Sequence, residues 1–276
     1  MSTWLITGCS TGLGRAFAEA ALAHGHDVVA TARDAAAVQD LAEANPDHVL
    51  ALALDVTDDA QVTGAVRAAE ERFGHVDVLV NNAGYGYRAA VEEGEDDAVR
   101  RLFDTHFDGS VRTIKAVLPG MRSRRSGAIV NLSSIGARMA PEGSGYYAAV
   151  KAAIEALTLS LRKELAPLGI SATVVEPGGF RTDFAGRSLT QSATPIADYA
   201  DTAGKRRKEH DTAHGTQPGD PRKGAEALVT AVDSGRPPYM LLLGNDASDS
   251  FRGALDALRA EVDEWEQLSR STDFDA

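Results

Sequence analysis

The sequence lacks most of the features that mark secreted, membrane-spanning and nucleic-acid-binding proteins. Its single cysteine excludes an internal disulfide and a cysteine-based zinc site, and no metal site is expected. No apolar run approaches the roughly 20 residues that a helix needs to cross a bilayer. Because a strand-like run begins at Thr3 and continues to Thr7, we expect no signal peptide. Because the formal net charge is -12, a general surface for nucleic acid or anionic lipid is disfavoured, and we expect a soluble, cytoplasmic protein.

What the chain does contain is an alternation of strand-like and helix-like segments. Its 276 residues fit a single α/β domain spanning 1–276. Short apolar runs such as Asp27 to Thr31, Val49 to Asp55 and Val76 to Val80 are typical of parallel strands that helices cover on both faces. A long helix is predicted from about Asp96 to Leu118, ending before Pro119.

The last third of the chain is less regular. From Phe180 to Pro221 the sequence has little periodicity, which predicts a substrate lid at 180–221. Its basic run Lys205 to Lys208 is interpreted as a solvated helix face, with phosphate or partner binding as the alternative. A charged amphipathic helix is predicted at about 254–268.

A glycine-rich loop, TGCSTGLG from Thr7 to Gly14, lies between the first strand and the first helix. Glycines let the backbone approach a pyrophosphate, and the following helix N-terminus presents unpaired N–H groups to it. This junction is where a dinucleotide site is expected, although turns need glycine anyway. Cys9 within the loop is interpreted as a packing residue, because no neighbouring motif would activate its thiol.

The end of the second strand indicates which dinucleotide binds. In an NAD site, an acidic residue about 20 positions after the loop binds the ribose 2′-hydroxyl. Here that position is Ala32, followed by Arg33, whose guanidinium suits a 2′-phosphate. Asp34 is the counter-argument, but it is expected to cap the next helix. The pattern therefore favours NADP(H) over NAD(H).

Three further side chains suit proton transfer to a carbonyl group. On a helix, the spacing of Tyr147 and Lys151 puts both side chains on one face. An ammonium one turn away favours the phenolate and is expected to lower the pKa of the tyrosine. Ser134 follows an apolar strand and would hold the substrate oxygen. The alternative is a surface helix on which the tyrosine packs and the lysine is solvated.

Taken in order, TGCSTGLG, Asn82-Ala83-Gly84, Ser134, Tyr147-x-x-x-Lys151 and Pro177-Gly178 resemble the short-chain dehydrogenase/reductase family. The resemblance covers roughly Trp4 to Phe184, and several segments also resemble the 17β-hydroxysteroid dehydrogenases and related bacterial reductases. It implies a Rossmann-type, doubly wound parallel sheet in the order 3-2-1-4-5-6-7. Members of the family usually form homodimers or homotetramers.

The resemblance also implies the roles of individual residues. Catalysis would use Ser134, Tyr147 and Lys151. The cofactor would contact Gly8, Thr11, Gly12, Leu13, Gly14, Arg33, Asp55, Val56, Asn82, Ala83, Gly84, Tyr147, Lys151, Pro177, Gly178 and Thr182. Within that set the loop glycines would surround the pyrophosphate, Thr11 and Arg33 would lie near the 2′-phosphate, and Thr182 would bind the carboxamide.

One position departs from the family pattern. Twenty-two residues after Gly84 the family usually has an asparagine, thought to shape a helix distortion whose carbonyl holds a water in the proton relay to the lysine. This chain has His106 there. We interpret it as a packed, hydrogen-bonded core residue. The alternative is that its imidazole, with a pKa near 6.5, takes over part of the relay.

These features predict an NADP(H)-dependent oxidoreductase that acts on a small molecule and interconverts a secondary alcohol and a ketone. Two alternatives remain open. One is a non-enzymatic protein that senses NADP, and the other is a dehydratase or epimerase on the same scaffold.

Overall fold

The central element of the fold is a seven-stranded parallel sheet, in a computed structural model that describes residues 1–186, 188–213 and 215–274. Its strands are β1 (Thr3–Ile6), β2 (Asp27–Ala32), β3 (Val49–Ala53), β4 (Val78–Asn81), β6 (Gly127–Leu132), β7 (Ile170–Pro177) and β9 (Met240–Leu243). Their order is β3-β2-β1-β4-β6-β7-β9, which is 3-2-1-4-5-6-7 when only these seven are numbered. The predicted fold class and strand order are confirmed. Two short strands, β5 (Gly86–Arg88) and β8 (Leu189–Gln191), form a separate parallel pair.

Helices flank both faces of this sheet. The described α-helices are α1 (Gly12–Ala23), α2 (Gln39–Ala44), α3 (Asp59–Phe73), α4 (Asp96–Phe103), α5 (Gly109–Arg124), α6 (Gly136–Met139), α7 (Gly145–Leu165), α8 (Ala203–Ala213), α9 (Pro221–Asp233) and α10 (Asn245–Arg270). Several begin at an aspartate that accepts backbone N–H groups of the first turn. Asp58 accepts from Ala60 and Gln61, while Asp34 accepts from Ala36 and caps a short 3₁₀ turn, as expected from the sequence.

Alternating residues of the strands build two hydrophobic layers. Trp4 and Ile6 face the layer that contains Phe17 of α1 and Leu228 of α9. Leu5, between them, faces the opposite layer, which includes side chains of α3, α5 and α7. Both faces of the sheet are therefore buried, which explains why its strands are apolar at almost every position.

A chain of buried polar side chains links α5 to α7 through two strands. Thr113 on α5 donates to Asn81 at 2.6 Å, and Asn81 donates to Asn131 at 2.9 Å. Asn131 in turn donates to Thr158 on α7 at 2.9 Å. All four side chains are buried, so removing one would leave a partner unsatisfied at a cost of about 1–3 kcal/mol. This series of hydrogen bonds fixes α7, the helix that carries Tyr147, against the sheet.

The predicted helix from Asp96 to Leu118 is wrong in two respects. A π-helical turn, Asp104–Asp108, separates α4 from α5. The helix also does not stop before Pro119 but continues to Arg124. Pro119 lacks the N–H that would bond the carbonyl of Lys115, yet both residues are exposed and water can bond that carbonyl instead.

Segment 180–221 folds back onto the residues after β5. Two carboxylates hold it there. Glu93 pairs with Arg207 and accepts from the N–H of Ile196 at 2.8 Å, and the hydrogen bond from Arg207 lowers the pKa of Glu93 to about 2. Glu95 accepts from the N–H of Ala193 at 2.8 Å. The basic run is thus not wholly a solvated face, because the Arg207 side chain is only 14% exposed and carries this ion pair.

Candidate active site

A cleft of about 930 Å³ runs along the carboxyl ends of the central strands. It lies where the strand order reverses between β1 and β4, the position at which open α/β sheets bind ligands. Every residue predicted to contact cofactor or substrate lines this cleft except Gly14. The fold thus brings together side chains that are up to about 170 positions apart in the sequence.

The glycine-rich loop forms one wall of the cleft. Gly8 and Gly12 have φ angles of 74° and 65°, a left-handed conformation that other residues rarely adopt. Gly14 instead lies beneath the loop, where a Cβ would come within 2.3 Å of the Asn82 amide nitrogen and of the Gly8 carbonyl oxygen. It therefore permits close packing of α1 rather than contact with a ligand. Thr11, the N-cap of α1, makes no side-chain cap, so the first N–H groups of the helix remain available.

Asn82 holds the shape of this loop. Its amide donates to the carbonyls of Thr7 at 2.8 Å and of Gly8 at 3.1 Å. The hydroxyl of Thr7 accepts in return from the N–H groups of Asn82 and Ala83, each at 3.0 Å. The asparagine therefore supports the loop directly, whatever else it contacts in the cleft.

The end of the cleft beyond β2 and β3 is polar. Arg33 is exposed there, and Asp55 accepts from the N–H of Thr57 at 2.9 Å and from its hydroxyl at 2.8 Å. Asp34 does not line the cleft, because its carboxylate accepts from the N–H of Ala36 at 3.0 Å. At the end of β2 the cleft is therefore lined by the positive side chain of Arg33 and not by Asp34.

The opposite end contains the predicted catalytic residues. Ser134 follows β6, while Tyr147 and Lys151 occupy the first two turns of α7 and lie on the same face. The Lys151 ammonium donates to the carbonyl of Leu132 at 2.7 Å and lies 5.7 Å from the centre of the Tyr147 ring. Lys151 is buried, not solvated as the surface-helix alternative required.

Comparison with known protein families matches residues 2–193 to the family described as short chain dehydrogenase. The chain belongs to the short-chain dehydrogenase family. It is 39% identical over 267 residues to oxidoreductase BOA17 of Botryotinia fuckeliana, covering 96% of this chain and 97% of that protein. These matches establish an oxidoreductase-family enzyme.

Two solved structures are similar over nearly their whole length. A short-chain dehydrogenase from Streptomyces avermitilis is 44% identical, with a TM-score of 0.92 over 99% of this chain and 100% of that one. A short-chain dehydrogenase/reductase from Burkholderia phymatum in complex with NAD is 25% identical, with a TM-score of 0.80 over 96% of this chain and 95% of that one. Relatives of this fold thus bind a nicotinamide cofactor.

In this short-chain dehydrogenase, burial controls the charges of the Tyr147–Lys151 pair. It raises the pKa of Tyr147 to about 12, with a hydrogen bond to Ser134 acting in the opposite direction. It lowers the pKa of Lys151 to about 7, partly offset by the charge of Glu155. The expected lowering of the tyrosine pKa by the lysine does not appear here, because the lysine ammonium is bonded to Leu132 and itself loses charge when buried.

A pair of acidic side chains behind Lys151 was not predicted. Glu155, one turn further along α7, accepts from the Ser133 hydroxyl at 2.7 Å and pairs with Arg138 at 2.7 Å. Glu176, at the end of β7, is fully buried, and burial together with Glu155 raises the pKa of Glu176 to about 7. Two features of the sequence could have indicated this pair. Glu155 lies four residues after Lys151 on the same helix, and Glu176 is a carboxylate within an otherwise apolar strand.

His106 lies in the π-helical turn and is fully buried. Its Nε2 is 2.8 Å from the carbonyl oxygen of Tyr85 and 3.0 Å from the Tyr85 nitrogen, so it donates or accepts according to tautomer. Burial, followed by the charge of Lys151, holds the pKa of His106 well below 6.5. His106 is therefore packed and hydrogen-bonded as interpreted, and its lowered pKa disfavours the alternative role in the proton relay.

The main chain of His106 and the neighbouring Gly84 complete this region. The His106 carbonyl accepts from the Ser110 hydroxyl at 2.6 Å. A Cβ on Gly84 would lie 2.3 Å from Cε1 of the imidazole, so only glycine leaves room for this ring. Within the described ranges, no cluster of histidine, cysteine, aspartate and glutamate is arranged to hold a metal, and no helix is both long and apolar enough to cross a membrane.

Proposed function

We propose that this short-chain dehydrogenase is an NADP(H)-dependent oxidoreductase that interconverts a secondary alcohol and a ketone. The observation that carries this proposal is the convergence of the Ser134 hydroxyl, the Tyr147 phenol and the Lys151 ammonium at one end of the cleft. When bound, the nicotinamide supplies or accepts the hydride.

Side chains of the protein transfer the proton that the carbonyl oxygen receives. Because the pKa of Tyr147 is raised to about 12, the phenol keeps its proton near neutral pH and can donate it to a carbonyl oxygen. Ser134, which is hydrogen-bonded to that phenol, polarises the same oxygen. Lys151 has a pKa of about 7 and can exchange a proton at ambient pH, so it suits reprotonation of the tyrosine.

The dinucleotide fits the other end of the cleft. The left-handed backbone of Gly8 and Gly12 leaves no side chain between the loop and a pyrophosphate, and the uncapped N-terminus of α1 favours its negative charge. Arg33 supports NADP(H), because a guanidinium pairs with a phosphate while Asp34 is engaged in its cap. Asp55, Val56 and Ala83 would contact the adenosine half, and Leu13 lines the same cleft.

Segment 180–221 contributes residues to the end of the cleft that contains Ser134, Tyr147 and Lys151. Phe180, Thr182 and Phe184 line the cleft, and the ring of Phe184 lies 6.1 Å from that of Tyr147. Pro177, Gly178 and Thr182 would hold the nicotinamide, with Thr182 on its carboxamide. We propose that the rest of the segment acts as a lid over the bound substrate.

The test is oxidation of NADPH and NADH with a panel of ketones, for wild type, Arg33→Ala and the control Arg67→Ala. Arg67 is an exposed residue of α3 and does not line the cleft. Loss of a charge-assisted contact should raise the KM for NADPH about 10- to 100-fold in Arg33→Ala only, with little change for NADH. Equal losses for both cofactors would contradict the assignment of NADP(H), and no turnover of any ketone would contradict the reaction itself.

A further inference from the structure

The turn that follows β7 forms one wall of the catalytic cleft. Pro177, Gly178 and Thr182 line the cleft there. Thr182 faces the glycine-rich loop, because a Cβ on Gly12 would lie 3.6 Å from the Cβ of Thr182. The position of this turn therefore sets the width of the cleft beside the proposed nicotinamide site.

Asp246 lies behind this turn, at the start of α10. Its carboxylate accepts from the N–H of Gly179 at 2.6 Å, across 67 positions of the sequence. A Cβ on Gly178 would lie 2.2 Å from Oδ1 of Asp246, and a Cβ on Gly244 would lie 2.5 Å from the same oxygen. Glycine at both positions therefore leaves the room that the carboxylate needs to reach the main chain of the turn. Asp246 does not itself line the cleft.

Main-chain hydrogen bonds also reach the turn. The Gly178 N–H donates to the carbonyl of Leu243 at 2.9 Å, and the Gly179 carbonyl accepts from the Gly219 N–H at 2.9 Å. Peptide groups of many sequences could form these bonds. The bond from Gly179 to Asp246 differs because it needs a particular side chain, and a carboxylate acceptor makes such a bond about twice as strong as one between neutral groups. A substitution at Asp246 can therefore release the turn without altering its main chain.

A carboxylate in the first turn of a helix can also stabilise that helix, because the N-terminus carries a partial positive charge. The contacts of Asp246 favour a role in the turn instead. Its carboxylate bonds to Gly179, which lies outside the helix, and it fills the space beside Gly178. Asp249, an exposed carboxylate on the same helix, provides a control for a purely helical role.

We propose that Asp246 is a positioning residue for the nicotinamide end of the cofactor. It acts through the main chain of Gly178 and Gly179. Because the Gly179 N–H is held, this wall of the cleft is in place before the cofactor binds, and less ordering of the chain opposes binding. This role rests on the proposed function, since it needs a nicotinamide cofactor in the cleft. It also extends the site beyond residues 2–193, which the family match covers.

Calorimetric titration with two ligands separates the two ends of the cleft. NADP⁺ contains the nicotinamide, whereas adenosine 2′,5′-bisphosphate contains only the adenosine half and its 2′-phosphate. Asp246→Ala should weaken NADP⁺ binding about 10-fold or more, as expected for one hydrogen bond to a charged group, and should leave binding of the bisphosphate unchanged. Asp246→Asn keeps an oxygen that can accept from Gly179 and should recover most of the affinity. The control Asp249→Ala should bind both ligands as wild type does.

Turnover provides a second readout. At saturating NADPH, Asp246→Ala should reduce a ketone about 10- to 100-fold more slowly, because a nicotinamide displaced by about 1 Å is misaligned with the substrate carbonyl. The pH profile of Asp246→Ala should match that of wild type, since Asp246 lies outside the cleft and transfers no proton. Asp246→Asn should again be close to wild type.

Equal weakening of both ligands in Asp246→Ala would overturn the proposal, because it would indicate a general loss of structure. Normal NADP⁺ binding and turnover in Asp246→Ala would also overturn it, as would an Asp246→Asn variant no better than Asp246→Ala. In these cases binding of NADP⁺ by wild type leaves the proposed function intact. A wild type that binds neither ligand would contradict the proposed function as well. If wild type binds NAD⁺ and ADP instead, the same comparison is made with that pair, and only the preference for NADP(H) is wrong.

Discussion

Replacing Glu176 by glutamine should stabilise the protein above neutral pH. Glu176 is 0% exposed and faces Glu155, and its pKa is raised from 4.5 to about 7. Glutamine has nearly the same shape as the protonated carboxyl but cannot ionise. The substitution therefore removes a buried charge without opening a cavity.

The size and sign of the effect follow from proton linkage. Because the folded-state pKa lies above the unfolded value of 4.5, the folded protein binds more protons between pH 4.5 and about 7. The stabilising contribution of Glu176 to the free energy of unfolding is therefore fully present below pH 4.5 and is lost as pH rises to about 7. A shift of about 2.5 units corresponds to about 3 kcal/mol at 1.36 kcal/mol per unit. Glu176→Gln should match wild type at pH 4.5 and exceed it by up to about 3 kcal/mol at pH 8.

Urea denaturation at a series of pH values measures this difference. Subtracting wild type from the variant cancels the titration of groups that both proteins share. Glu142→Gln, at an exposed position, is the matched control and should follow wild type throughout. A difference between Glu176→Gln and wild type that does not change from pH 4.5 to pH 8 would refute the reasoning, because it would mean that the carboxyl titrates normally in the folded protein.

Three further predictions concern catalysis. Tyr147→Phe should bind NADPH normally while turnover falls about 10²-fold or more, so near-normal turnover would exclude its role as the general acid. His106→Asn should keep wild-type turnover and pH profile, because the imidazole is already neutral; a titration near pH 6 to 7 that disappears in this variant would contradict the burial argument. Amide exchange in 180–221 should be faster than in the central sheet and should slow when NADPH and a ketone bind, whereas strong protection in the protein alone would favour a rigid subdomain.

The sequence by itself determined the features that depend on local pattern. Buried parallel strands need apolar residues, and the glycine loop needs residues that tolerate a positive φ, so both are visible in a single segment. The carboxyl ends of parallel strands meet at one edge of a sheet, so the order of the motifs was enough to predict one shared cleft. Asp34 was assigned correctly as a cap because capping acts over two or three residues.

The tertiary structure decided the features that depend on burial and distant partners. Pro119 stays in a helix because its surroundings are exposed. Arg207 is largely shielded from solvent because its guanidinium donates hydrogen bonds to Glu93, 114 positions away. The shared environment of Glu155 and Glu176 arises where α7 packs on β7. Desolvation, which no local pattern reports, raises the pKa of Tyr147, lowers that of Lys151 and keeps His106 neutral.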